Sequence, residues 1–200
     1  MDQPESAMPA AQGSASSGSS AEPRSSTVAV ITGSATRPSR TVGLASVVAR
    51  RLAQAGLAVR ELHVRDLPAE ALLHARFDDP RIQEALALVD AAQGVVFASP
   101  VYKAAYSGVL KSFVDLLPQF GLRGKAVLPL LTGGTLAHVL ALDYGLRPVL
   151  QSLDPRLVVS GLFVLDKLIE LHDGEVTLAP EIVPRLDQVV ETFMGALKCT

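Results

Sequence analysis

A five-stranded, doubly wound parallel α/β sheet with helices on both faces is the fold class this sequence predicts, and three observations predict it. Short, nearly unbroken apolar runs recur along the chain. Stretches with helical apolar periodicity separate them, and Gly or Pro marks the changeovers. A strand covered on both faces reads as a continuous apolar run, and a helix between consecutive strands makes parallel pairing the default.

The elements follow in order. Thr27-Val-Ala-Val-Ile-Thr32 is the first strand. Leu44, Val47, Val48 and Leu52 then fall on one helix face, and Gly56 supplies the stop. Leu57 to His63 reads as the second strand. Asp79-Pro80 opens the next helix, with Ile82, Leu86 and Val89 on its buried stripe and Gly94 after it. Val95 to Ala98 is the third strand, and a helix from Gly108 to Leu117 ends at Pro118. Lys125 to Leu131 is the fourth strand, Leu136 to Leu150 a helix, and Leu157 to Leu165 the fifth strand. His172-Asp-Gly174 reads as a hairpin or loop turn. A last helix spans Pro180 to Leu197, with Val183, Leu186, Val190, Phe193 and Leu197 facing inward. No internal repeat interrupts this alternation.

A chain of 200 residues suits one such domain better than two. Residues 1–26 differ in composition: Ser, Ala, Gly, Pro and Gln dominate, so this stretch is expected to be a disordered leader before a domain at 27–198. Asp2, Glu5 and Glu22 against Arg24 give the leader the whole chain's net charge of -2, which leaves the domain neutral. That balance offers no basic footprint for nucleic acid. Mean hydropathy is +0.32, yet no apolar run approaches the roughly 18 residues of a membrane span. Cys199 is the one cysteine, which excludes a disulfide framework and points to a reducing, cytoplasmic compartment.

In doubly wound sheets ligands bind outside the carboxyl ends of the strands. Three loops there carry chemistry. The first, Gly33 to Thr41, places Ser34, Thr36, Ser39 and Thr41 with Arg37 and Arg40 at a helix N-terminus, where free N–H groups and the helix dipole favour an anion such as a phosphate. The second, Ser99 to Gly108, has Pro100 stiffening the exit from the sheet and two of the chain's three tyrosines, Tyr102 and Tyr106, suited to flanking a planar ring. The third, Thr132-Gly133-Gly134-Thr135, lets main-chain N–H groups approach a ligand without Cβ obstruction. A phosphate site, an aromatic ledge and a Gly-Gly donor loop together describe a pocket for flavin mononucleotide. No Gly-x-Gly-x-x-Gly dinucleotide fingerprint is present, and Gly121-Leu-Arg-Gly-Lys-Ala126 lacks P-loop spacing and precedes a strand. His63, His74, His138 and His172 are scattered, without metal-ligand spacing, and no Gly-x-Ser-x-Gly elbow marks a hydrolase.

Two long segments carry a resemblance. Pro100-Val-Tyr-Lys-Ala-Ala-Tyr-Ser-Gly-Val-Leu-Lys-Ser-Phe-Val-Asp115 and the run from Leu128 through Thr132-Gly-Gly-Thr135 and Tyr144 to Pro148 resemble the NADPH-dependent FMN reductases. The similar branch is the reductase that serves alkanesulfonate monooxygenases, and Leu73-His-Ala-Arg-Phe-Asp78 is similar to it too. The resemblance spans about Thr27 to Leu197. It implies a flavodoxin-like fold, FMN and NADPH as cofactors, and hydride transfer from NADPH to flavin N5. Reduced FMN would then pass to a flavin-dependent monooxygenase in sulfur acquisition. Carried over by residue, it assigns Ser34, Ser39, Arg40 and Thr41 to the phosphate. Pro100, Val101, Tyr102 and Lys103 would flank the ring, and Thr132, Gly133, Gly134 and Thr135 form the third contact. The family's Ser-x-Arg pattern is shifted here: Thr36 holds the arginine's slot and Arg37 lies one place further on. For Tyr144 the resemblance implies a π-bulge at the interface of a homo-oligomer, dimer or tetramer, where the ring favours flavin exchange. Gly145 and Pro148 weaken a regular helical ladder there.

Hydride transfer works by positioning, so no catalytic acid or base is named. Two alternatives stay open on the residues alone. One is an electron carrier that keeps its FMN, against which the neutral domain argues. The other is a flavin-retaining reductase of quinones or azo dyes.

Overall fold

Every connection between neighbouring parallel strands passes over one face of the sheet, and that alternation produces two separate cores. The computed structural model describes residues 26–198. The expected disordered leader therefore lies, except for Ser26, outside the described residues.

In chain order the elements are β1 (Thr27–Thr32), α1 (Arg40–Gln54), β2 (Ala58–His63), α2 (Ala69–Leu73) and α3 (Pro80–Asp90), then β3 (Gly94–Tyr102), β4 (Ala105–Tyr106), α4 (Gly108–Val114) and β5 (Ala126–Gly133). There follow α5 (Arg147–Gln151), β6 (Leu157–Val158), β7 (Leu162–Leu165), β8 (Ile169–His172), β9 (Glu175–Leu178) and α6 (Val183–Lys198). The main sheet runs β2-β1-β3-β5, with β6 and β7 both pairing in parallel with β5 at the fifth position. This is the flavodoxin-like order 2-1-3-4-5. No helix of the described residues is long and apolar enough to cross a membrane.

Alternation along each strand divides the cores. Val28, Val30, Val96, Leu128 and Leu130 face α1 and α6, where they meet Leu44, Val48, Leu52 and Phe193. Ala29, Ile31, Val95, Phe97 and Val127 face the other layer, against Ile82, Leu110, Phe113 and Leu150. On α3 the fully buried positions are Ile82, Ala85 and Val89, while Leu86 is only half-buried. Asp79 caps that helix, its Oδ1 accepting from the N–H of Arg81 at 2.9 Å.

Two elements depart from their sequence reading. The fifth strand is broken between Val158 and Leu162, and the cause lies on the neighbouring strand. Pro129, in mid-β5, has no N–H to donate, and Gly161 packs so tightly there that a Cβ would lie 2.4 Å from the Pro129 carbonyl oxygen. The helix expected over Leu136 to Leu150 is three short pieces: a 3-10 turn at Leu136–His138, a π-helical segment at Ala141–Leu146, and α5. Beyond β7, the His172-Asp-Gly174 turn closes a complete hairpin, β8 with β9, that lies on α1. Leu171 and Val176 pack so closely there that a Cβ on Gly43 would meet both within 3.1 Å.

Candidate active site

At the carboxyl edge β1 ends on Thr32 and the chain turns over into α1. Ser39 is the N-cap of α1, its Oγ accepting from the N–H of Val42 at 3.2 Å while its own hydroxyl donates to Ser34 Oγ at 2.7 Å. Ser34 is only 2% exposed. The first-turn N–H groups of Arg40 and Thr41 have no partner within the helix, as at any helix start. Thr41 Oγ1 and Thr132 Oγ1 lie 2.7 Å apart and buried, which knits the first loop to the end of β5. Arg40 donates from Nε to the Ile169 carbonyl at 3.1 Å, so β8 anchors its stem.

These groups surround an open cleft of about 130 Å³. Ser34, Ser39, Arg40 and Thr41 line it from the first loop, together with Thr36 and Pro38; Pro100, Val101 and Tyr102 line it from the second, and Thr132 from the third. Residues far apart in the chain thus share one cavity. Tyr102 stands 47% exposed on its rim.

The remaining expected residues sit beside the cleft rather than in its wall. Strand β3 runs on through Tyr102, so Pro100 and Val101 are strand residues. Lys103 and Ala104 form the two-residue turn into β4, with φ of 50° and 64°. Gly133 is buried at the end of β5, where an added Cβ would lie 3.0 Å from Phe163 Cζ; Gly134 has open space around its Cα. Thr135 caps the 3-10 turn, accepting from the Ala137 N–H at 3.3 Å. Tyr106, paired with Val101 across the β3–β4 hairpin, turns into the core and packs near Gly145. Burial holds its hydroxyl pKa above the ordinary value. Tyr144 lies in the π-helical segment, 80% exposed, and Leu136, Val139 and Leu140, just before that segment in the chain, are exposed as well.

Sequence reasoning missed Asp166. It lines the cleft from the turn after β7, the fifth loop of the carboxyl edge, and position after a strand end was the available signal. Arg37 turns away from the cleft and pairs with Asp66.

The cleft fits a phosphorylated ligand. Its wall carries the hydroxyls of Ser34, Thr36, Ser39, Thr41 and Thr132, one guanidinium from Arg40 and one carboxylate from Asp166, with the Tyr102 ring at its rim.

Comparison with known proteins agrees. The family model described as NADPH-dependent FMN reductase matches residues 26–169. The chain belongs to the NADPH-dependent FMN reductase family. The reductase is 41% identical over 170 residues to an FMN reductase (NADPH) of Escherichia coli K12, covering 85% of this chain and 89% of that one. With an FMN reductase (NADPH) of Pseudomonas putida KT2440 it shares 45% identity over 71% of this chain and 73% of the relative. Among solved structures, the apo form of an NADH:FMN oxidoreductase (EMOB) superposes with a TM-score of 0.80 at 40% identity, over 88% of this chain and 92% of that one. The reductase is thus an NADPH-dependent FMN reductase, an oxidoreductase whose cofactors are FMN and NADPH.

Proposed function

We propose that the cleft holds FMN by its phosphate and that the flavin leaves after reduction, so that FMN is a second substrate rather than a resident group. The observation that carries this reading is the meeting of Arg40, Tyr102 and Thr132 around one small, open cavity. Ser34, Ser39, Arg40 and Thr41 hold the phosphate: the hydroxyls and first-turn N–H groups donate to it, and the Arg40 guanidinium balances its charge. Pro100, Val101, Tyr102 and Lys103 flank the ring system on one side, and Thr132, Gly133, Gly134 and Thr135 on the other. Main-chain N–H groups of that third loop stabilise negative charge on the reduced ring without needing to ionise. When bound, FMN supplies the hydride-accepting atom; the chain's own task is to hold nicotinamide and flavin face to face and exclude water.

An open cleft with a short reach suits exchange. Reduced FMN then goes to a flavin-dependent monooxygenase of the kind that takes alkanesulfonates, as the sequence resemblance implies, in the cytoplasm. The exposed side chains of Leu136, Val139, Leu140 and Tyr144 form the surface by which copies of the reductase associate, since large apolar side chains left exposed within nine residues of chain gain by burial. The folded domain at 27–198 carries all of these contacts.

Steady-state NADPH oxidation during FMN titration tests the reading. Saturating dependence on added FMN is expected. Turnover of the purified reductase with a different acceptor, indifferent to added FMN, would instead make the flavin a resident group.

A further inference from the structure

At about 130 Å³, against roughly 300–1,000 Å³ for sites that enclose a ligand of drug size, the cleft has room for the FMN phosphate and the chain beside it, so the flavin ring and a dinucleotide both extend past its rim. Most of the NADPH molecule must therefore lie outside it. The structure offers one place on the rim where positive charge gathers.

Arg37 sits between two cleft-lining residues, Thr36 and Pro38, yet its guanidinium faces outward to the carboxylate of Asp66. Two further guanidinium groups converge on the same residue. Arg81 donates from Nη2 to the Asp66 carbonyl, and Arg65 Nε stands 3.8 Å from Asp66 Oδ1. Arg65 Nη1 also donates to the carbonyl of Thr36, fixing the cluster to the loop. Arg65 Nε is buried and makes no hydrogen bond among the described residues, so one donor remains without an acceptor. Three guanidinium groups thus gather on Asp66, Arg37 and Arg65 at its carboxylate and Arg81 at its main-chain carbonyl, which leaves a net charge of about +2 beside the mouth of the cleft. Arg65 also lines a groove of about 450 Å³ that shares Pro38 and Ser39 with the cleft, with Val42, Leu171 and Val176 as apolar lining and Arg50, Asp173 and Glu175 as its other charged residues. An adenosine has room there.

The geometry points to the Arg37–Arg65–Arg81 cluster as the site that takes the 2′-phosphate of NADPH, with the adenosine in the adjoining groove. This rests on the placement of FMN proposed above. Asp66 gathers the guanidinium groups before the ligand arrives, offsetting their mutual repulsion. The phosphate monoester dianion then takes up their outward donors, and NADH, lacking that group, gains nothing from them. The cluster discriminates between dinucleotides by charge. It is separate from the hydroxyl cradle of Ser34, Ser39 and Thr41.

Two measurements on the full chain test it. Calorimetric titration with adenosine 2′,5′-bisphosphate and with 5′-AMP isolates the 2′-phosphate from the reaction. At least tenfold tighter binding of the bisphosphate is expected, falling by about fivefold to tenfold in Arg37→Ala and in Arg81→Ala, and recovering in part in Arg37→Lys. The same alanine variants should lower the ratio of kcat/KM for NADPH over NADH by a similar factor. Equal affinity for the two nucleotides, or a kcat/KM ratio within twofold of the parent in both variants, overturns the assignment. A rise in the KM for FMN in place of a change in the ratio overturns it too, because the guanidinium groups then serve the flavin's phosphate. The calorimetric arm needs no turnover, so it judges the cluster even if the flavin-exchange reading fails.

Discussion

Gly33→Ala is the substitution on which most of this structure bears. Gly33 ends the first strand, donating its N–H to the Ala98 carbonyl at 2.8 Å and accepting from the Ser107 hydroxyl. A Cβ built there lies 2.4 Å from Leu110 Cβ and 2.9 Å from both Cα and N of Leu110. Carbon atoms pack at about 3.5–4.0 Å, so the first turn of α4 must retreat by roughly 1 Å or more. Backbone is what blocks the way, and no rotamer change relieves it. The retreat also strains Ser107, whose Oγ caps α4 by accepting from the Leu110 N–H at 3.0 Å. Overpacking of this kind costs about 1–3 kcal/mol, and a disturbed buried hydrogen bond adds about 1. The expected loss is therefore about 2–4 kcal/mol, read as a lower midpoint in urea unfolding followed by circular dichroism. The first and second loops leave the sheet on either side of this contact, so the KM for FMN should rise at least tenfold. Gly134→Ala is the matched control, since nothing lies within 4 Å of its added Cβ. It should leave stability within about 0.5 kcal/mol. If Gly33→Ala unfolds at the parent's urea concentration and binds FMN as well, the contact between β1 and α4 does not position the loops.

Three further outcomes follow from individual contacts. Ala104 holds a left-handed φ of 64° without being glycine, so Ala104→Gly should stabilise the fold by about 1 kcal/mol in the same urea experiment. Thr41→Val or Thr132→Val leaves the other buried hydroxyl unpaired and should cost about 1–3 kcal/mol; the double variant should cost less than the sum, a coupling measured by a thermodynamic cycle. Burial of Lys125, whose Nζ donates to the carbonyls of Asp90 and Ala92 at 2.7 and 2.8 Å, holds its pKa below the ordinary 10.5. In the window between that lowered value and 10.5 the unfolded chain binds the proton more tightly, so the stability of the parent relative to Lys125→Met should climb as pH rises toward 10.5. Paired urea titrations along a pH series would show a flat or falling difference if burial does not depress the lysine.

Legibility in the sequence depended on whether the determinant was local. β1 matches its reading residue for residue, because its apolar run is local and the loop that begins at Gly33 follows it directly. The helix start at Asp79-Pro80 and the turn at His172-Asp-Gly174 were readable for the same reason. The break in the fifth strand was not, since its cause, Pro129, lies on a neighbour some thirty residues earlier and affects the strand only through pairing that no local pattern records. Arg37 shows the same limit in the site. Its type and place beside the phosphate loop suggested an anion contact, yet the carboxylate that turns it outward comes from the end of β2. Asp166 gives no local signal, because a lone carboxylate after the fifth strand carries no motif and only the fold brings it to the cleft.

Irregular backbone gathers at one corner of the carboxyl edge, and a single short element connects it. β4 hydrogen-bonds back onto the end of β3, and the price of that hairpin is two left-handed residues, Lys103 and Ala104. Beyond β4, Tyr106 packs against the π-helical segment at Gly145, where a side chain in place of the glycine would meet the ring at 3.9 Å. Each irregularity costs free energy on its own, left-handed residues about 1–2 kcal/mol apiece, and neither persists unless its surroundings hold it. The tyrosine anchored in the core holds both. The cleft-facing Tyr102 and the solvent-facing Tyr144 thus sit on opposite ends of one braced unit. A partner copy that covered the Tyr144 face would press on the same brace that sets the Tyr102 ledge. Tyr106→Ala should therefore weaken FMN binding and any self-association through the Tyr144 face together, read by FMN titration and sedimentation; loss of one with the other unchanged would show that Tyr106 does not link them.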